Sequence, residues 1–299
     1  MRGFLGCRKW LTLLGILACP LNLASRFLGG GMENEAGVFM STFPKEVARA
    51  AVERNRGGRV LTCSEFACER LGFEADAKQR AVLDSRSKKG ILNCSRQWGK
   101  STVAAVKAVH RAYSEEGSLV IVASPSERQS REFLRKAEEF VRKLKIRPCG
   151  DGDNAMSLLF PNRSRIVGLP GTESTVRGFS AASLVLIDEA SGVPEAMYYA
   201  LRPMRAVRNG ELWLMSTPWG SSGFFWEAWK DGGAAWERIL APATECARIS
   251  EEFLAEERED TPERWFAQEF LCEFVDNGSR WFSRDAVERT LRDDDPLEV

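Results

Sequence analysis

A lysine, a serine and two adjacent carboxylates are the residues of this 299-residue chain best suited to chemistry. Lys100 and Ser101 sit near the end of the run Cys94-Ser95-Arg96-Gln97-Trp98-Gly99-Lys100-Ser101-Thr102, which follows a short apolar stretch. The run fits G-x-x-x-x-G-K-[ST], with Cys94 standing where the first glycine should be. Gly99 lets the backbone curl so that successive N–H groups point at an anion. Lys100 brings a mobile cation to the β and γ oxygens of a triphosphate, and Ser101 brings a hydroxyl to Mg²⁺. A helix opening at Lys100 adds its positive end to the same site. Taken alone, the run also fits an ordinary strand-turn-helix.

Two downstream segments decide between these readings. Leu184-Val185-Leu186-Ile187-Asp188-Glu189 is an apolar strand ending in two acids. Acids at the end of a buried strand are costly without a metal or other partner. Asp188 is placed to hold Mg²⁺ through water, and Glu189 to polarise an attacking water. A further apolar stretch, 211–215, runs into Ser216-Thr217-Pro218, a hydroxyl pair suited to a γ-phosphate. Phosphate, metal and sensor groups on successive strand ends read as a P-loop ATPase.

These groups need a sheet to bring them together. Short apolar runs at 90–94, 118–123, 165–169, 183–187, 211–215 and 236–241 alternate with helical patterns at 100–114, 127–145 and 195–205. Strands apolar on both faces, alternating with helices, predict an α/β fold: a mainly parallel sheet covered by helices, of the ASCE or RecA-like P-loop class. The ligand crevice of such a sheet lies at the C-terminal strand ends, where the motifs fall. Residues 41–86 read as short helices (44–54, 63–71 and 76–85), and 251–259 and 262–269 as two closing helices. The expected organisation is a leader over 1–40, an ATPase domain over 41–275, and a linker or cut end over 276–299. Within the ATPase domain, 41–86 form a helical segment, 87–245 the P-loop core and 246–275 the closing helices.

Formal net charge is zero, yet residues 1–150 carry 27 Lys and Arg against 15 Asp and Glu, and the remainder the reverse. A basic half beside an acidic half suits a polyanion contact on one side, or simply a dipolar soluble protein. The eight cysteines form no C-x-x-C pair, and with one histidine, His110, the sequence gives no sign of a Cys/His metal site. His110 reads as structural. Scattered cysteines suit a reducing compartment. Residues 1–31 resemble a secretory leader, but the apolar run is short and broken by Pro20. Because an ATPase needs cytoplasmic nucleotide, the expectation is an over-extended start, with Met32 or Met40 as the native beginning, and no membrane partner.

The same residues resemble those of phage terminase large subunits. Ser95-Arg96-Gln97-Trp98-Gly99-Lys100-Ser101 is similar to that family's deviant phosphate loop. Gly72-Phe73-Glu74-Ala75-Asp76-Ala77-Lys78-Gln79 resembles its adenine-side motif, with Gln79 as the base-reading glutamine. Thr175-Val176-Arg177-Gly178 resembles its Arg-Gly turn, Ser216-Thr217-Pro218-Trp219-Gly220 its coupling motif, and 266–274 the segment that closes its ATPase domain. The resemblance covers roughly residues 60–285, in the family's order.

The resemblance implies ATP on the loop residues 95–102, Mg²⁺ held by Ser101 and Asp188, water activated by Glu189, and hydrolysis sensed by Thr217. It implies an arginine that stabilises the transferred phosphoryl group. Arg96 is the candidate in cis; Arg177 is the second, acting on a neighbouring subunit. It also implies a homo-oligomeric ring in the bacterial host cytoplasm that moves double-stranded DNA through a portal ring, with a small terminase subunit choosing the site. Members carry an RNase-H-type nuclease after the motor. Val299 comes too early for one, so the expectation is a truncated chain, a prophage remnant or half of a split pair with a separate nuclease chain, leaving plasmid DNA uncut.

Other features stay open between two uses. The basic helix 127–145 could grip DNA phosphates or present a solvated face. Trp98 could cover the nucleotide or pack. The later tryptophans read as packing. The rival functions are a helicase-like translocase, which would need a second RecA-like domain, and an inactive remnant, which intact catalytic positions argue against.

Overall fold

The computed structural model describes residues 60–146, 149–151, 154–171, 178–276 and 290. The leader, the expected helix over 44–54, Arg177 and most of the expected linker lie outside the described residues.

Thr62 opens the first described helix, α1 (Cys63–Leu71), through a reciprocal capping box with Glu65, and Gly72 ends it in the left-handed region. Asp76 opens α2 (Ala77–Asp84) by the same device with Gln79. Ser64 bonds Asp84 through both its N–H and its hydroxyl, which ties the two helices together.

The remaining chain builds an eight-stranded sheet. In chain order its elements are β1 (Lys89–Cys94), α3 (Lys100–Ser114), β2 (Leu119–Ser124), α4 (Glu127–Lys143), β3 (Cys149–Asp151), β4 (Asn154–Leu159), β5 (Arg165–Pro170), β6 (Leu184–Asp188), α5 (Glu195–Leu201), β7 (Glu211–Ser216), α6 (Gly223–Lys230) and β8 (Glu237–Ala241). The helices α7 (Glu251–Asp260) and α8 (Glu263–Glu269) follow. The strand order is β3-β4-β5-β2-β6-β7-β1-β8, with β1, β2, β5, β6, β7 and β8 parallel. The six predicted strands are all present. β3 and β4 add an antiparallel edge that the sequence reading lacked.

The double-sided apolar runs are explained by two cores, one on each face. Leu92, Val122, Leu184, Leu186, Trp213 and Met215 face the side covered by α1 to α4. Ile91, Ile121, Val185, Ile187, Leu212 and Leu214 face α5 and α6. His110 lies under the first cover, edge-on to Phe66 at 5.1 Å, and burial with neighbouring Arg111 and Lys107 lowers its pKa to about 4. It is therefore neutral at pH 7 and structural. The expected helix 195–205 breaks into α5 and a 3-10 turn, Arg202–Arg205, where Pro203 removes a donor.

Gly90 pairs in register with Trp213, and a Cβ there would lie 2.5 Å from the indole ring. The ring is fully buried and has nowhere to retreat. Gly90→Ala should therefore lose about 1–3 kcal/mol of stability, read as a lower urea midpoint with an unchanged slope.

Candidate nucleotide site

The strand order places the chemistry. β7 lies between β6 and β1, so the strand ending in Asp188, the strand running into Thr217 and the strand before the Lys100 loop end side by side. Their C-terminal ends border a cleft of about 620 Å³. Ser95, Arg96, Gln97, Gly99, Lys100, Ser101 and Thr102 line it, as do Glu189, Ser191 and Thr217.

The loop between β1 and α3 carries two residues in the left-handed region, Gln97 at φ 60° and Gly99 at φ 96°. A non-glycine residue there is strained by about 1–3 kcal/mol and persists only where its surroundings hold it. Trp98, between them, is 1% exposed and belongs to the core. Its indole packs in that core, and the residue also borders the cleft. Ser95 N–H donates to Ala241 O at 3.0 Å, and Arg96 N–H to Glu269 O at 3.2 Å. The Arg96 side chain, 68% exposed, pairs with the Glu269 carboxylate on α8. Cys94 is fully buried as the last residue of β1, opposite Ala241. That is a strand position, where a small side chain serves as well as glycine.

At the base of the cleft, Lys100 Nζ lies 2.7 Å from Glu189 Oε1, and Ser101 Oγ donates to Asp188 Oδ2 at 2.9 Å. Asp188 is 6% exposed, and burial pushes its carboxyl above the usual range despite the nearby lysine. Burial works against the Lys100 ammonium, but Glu189 and Asp188 together raise its pKa. Glu189 sits at φ 53° and gives its N–H to Asp188 Oδ1 at 3.1 Å. A strained acid beside a buried one is an arrangement found at functional sites.

Thr217 is 9% exposed, with an Oγ1 that has no hydrogen-bond partner among the described residues. Ser191 braces it, donating its N–H to Ser216 Oγ at 3.2 Å and its hydroxyl to Thr217 O at 3.0 Å. A hydroxyl and a carboxylate 2.9 Å apart fit Mg²⁺, which takes one or two protein oxygens and fills its shell with phosphate and water. The unpartnered Thr217 hydroxyl fits a phosphate oxygen beside them.

Gln79, the expected base-reading residue, lies beside the loop. It is 1% exposed, receives Asp76 N–H at 3.1 Å and donates to Trp98 O at 3.2 Å. Both ends of its amide are engaged by backbone behind the loop, and it is not among the cleft-lining residues. Arg248, which sequence reasoning missed, reaches the same carbonyl. No motif marks it; it is a lone arginine after the last strand. Lys136 and Gln129 of α4 also line the cleft.

Three arginines of the basic helix are paired within it. Arg131, Arg135 and Arg142 pair with Glu127, Glu132, Glu139 and Glu138 three or four residues away, and Lys143 donates to Leu71 O at 2.8 Å. The solvated-face reading of α4 fits these contacts better than a phosphate grip does.

The loop between β1 and α3, a buried acid beside a strained one, and β7 inserted between their strands have the fold of a P-loop NTPase of the ASCE, RecA-like class. Residues 91–289 match the family described as "Terminase large subunit, T4likevirus-type, N-terminal". The chain belongs to that family. It is 27% identical to the terminase large subunits of Thermus virus P23-45 and Thermus phage G20c, matching 72% of this chain and 52% of each relative. The chain thus spans about half the length of the curated relatives it matches. Among solved structures, the ATPase domain of the Thermus phage P74-26 large terminase superposes with a TM-score of 0.64 at 24% identity, over 72% of this chain and all of that one. The large terminase of a thermophilic bacteriophage, in complex with ADP, does so at 0.59 and 14% identity, over 67% of this chain and 53% of that one.

Proposed function

We propose that this chain is the ATP-hydrolysing motor of a terminase large subunit, which drives double-stranded DNA through a portal ring. The observation that carries the reading is the convergence of Lys100 on Glu189 and of Ser101 on Asp188 beside the free hydroxyl of Thr217. Family membership and the fold shared with terminase ATPase domains support it.

In this reading, loop residues 95–102 and the N-terminus of α3 take the phosphates. Arrival of the γ-phosphate draws Lys100 from Glu189 to the phosphate oxygens, which frees Glu189 to accept a proton from the attacking water. Water then attacks the γ-phosphorus in line and the bond to the ADP oxygen breaks. Mg²⁺, held by Ser101 and Asp188, would neutralise charge on the β and γ oxygens. Thr217 would read the γ-phosphate and pass its loss to α8 through the segment that follows β7. Gln79 supports the loop from behind. The ring, the small subunit and a separate nuclease chain belong to the same proposal, as do the host cytoplasm and the boundaries of leader, motor and linker. Among the described residues no helix is long and apolar enough to cross a membrane.

The test is ATP hydrolysis in Mg²⁺ with and without double-stranded DNA and a portal ring. Turnover that rises with DNA supports the motor, and a chain that binds no nucleotide ends the reading. Arg96 and Arg177 separate by mixing. If Arg177 acts in trans, Arg177→Ala mixed with Glu189→Gln subunits should regain part of the parental turnover, and Arg96→Ala mixed likewise should not. No recovery at any ratio would count against a shared site.

A further inference from the structure

We propose that Arg248 is a positioning residue for the phosphate loop, holding it in its nucleotide-receiving shape from outside the cleft. The inference rests on the nucleotide-binding reading above and adds a residue that none of the motifs contains.

The loop turns on Trp98, between the left-handed Gln97 and Gly99. Burial fixes the Trp98 indole, and the direction of its carbonyl then decides how the 98–99 peptide, and the N–H groups after it, face the cleft. Two donors converge on that carbonyl: Nη2 of Arg248, and Nε2 of Gln79 at 3.2 Å. Arg248 is itself aimed. Its Nη1 lies 3.5 Å from Asp76 Oδ2, while Asp76 Oδ1 accepts the Gln79 N–H at 2.8 Å. Asp76, Gln79 and Arg248 thus form one brace behind the loop.

The brace also bears on Gly99, where a Cβ would lie 3.4 Å from Gln79 Nε2 and 3.8 Å from Arg248 Nη2. A second pair, Lys78 with Glu245 at 2.5 Å, ties the same two segments together. Neither Arg248 nor Gln79 lines the cleft, so both act through the loop. A charged donor holds a carbonyl more strongly than a neutral amide does, which makes Arg248 the stronger arm of the brace.

Arg248→Ala should raise the KM for ATP roughly tenfold while kcat changes less than about twofold, because only formation of the binding shape is affected. Amide exchange over residues 95–102 should quicken in the nucleotide-free protein. The thermal midpoint should hold, since the Arg248 side chain is half exposed. Arg248→Lys should recover most of the KM by restoring one charged donor. Lys100→Ala, run in parallel, checks the nucleotide reading separately; if that variant binds ATP normally, the reading fails, and amide exchange still tests the brace alone. Parental KM and loop exchange in Arg248→Ala would overturn the proposal. So would an equal loss in kcat and kcat/KM together with a lowered midpoint, which would make Arg248 a general stabilising contact.

Discussion

Lys100→Ala should leave a folded protein that no longer retains ATP, with affinity lower by roughly a hundredfold or more, as expected for loss of a desolvated charge-assisted contact. The geometry gives two reasons. The cation that would meet the β and γ oxygens is gone, and the carboxylates of Glu189, 2.7 Å away, and buried Asp188 then face the incoming phosphates uncompensated. Equilibrium binding of a fluorescent ATP analogue reads the loss directly, with circular dichroism to confirm folding. Retained parental affinity would remove Lys100 from the site. A pH signature should accompany the loss. Burial already holds the Asp188 carboxyl above its ordinary value of 3.8. Folding therefore favours its protonated form, and stability falls as pH rises from that ordinary value through the folded one. Without Lys100 that window should extend to higher pH, visible in the thermal midpoint.

Glu189→Gln should do the reverse, keeping nucleotide and losing turnover by roughly two or more orders of magnitude, the usual effect of removing a general base. The amide preserves the side chain's shape and can still accept from Lys100, so the cleft should be assembled but unable to take the proton. Filter binding beside a phosphate-release assay separates the two effects. Turnover within a fewfold of the parent would exclude Glu189 as the base. Glu189→Ala is a poorer test, because it also deletes the ion partner of Lys100.

The parts of the fold that were legible share one property: strands apolar on both faces, such as Leu184–Asp188, announce burial in a parallel sheet whatever their neighbours are. The antiparallel edge escaped because Cys-Gly-Asp-Gly-Asp-Asn at its start reads as turn rather than strand. Helix α6 escaped because Gly223-Phe224-Phe225-Trp226 combines a glycine with aromatics of poor helix propensity, and only packing against the second core stabilises it there. In the candidate site, the gathering of Lys100, Ser101, Asp188, Glu189 and Thr217 was legible because the proposed phosphate chemistry constrains residue type and spacing together. Gln79 was singled out as a motif residue, but its engagement behind the loop could not be read from the sequence, since a buried amide and a base-reading one look alike. Arg248 was illegible, because a single arginine 150 residues from its acceptor leaves no spacing to read.

The pairing along α4 has a consequence for how the molecule would respond to salt. Affinity for a polyanion falls with ionic strength in proportion to the condensed counterions that protein cations displace. A guanidinium that already holds a glutamate displaces few, because its field is closed locally. Removing Arg135, flanked by Glu132 and Glu139, should therefore barely alter the slope of log affinity against log salt for duplex DNA. If that slope is steep, cations other than these paired arginines are responsible for it.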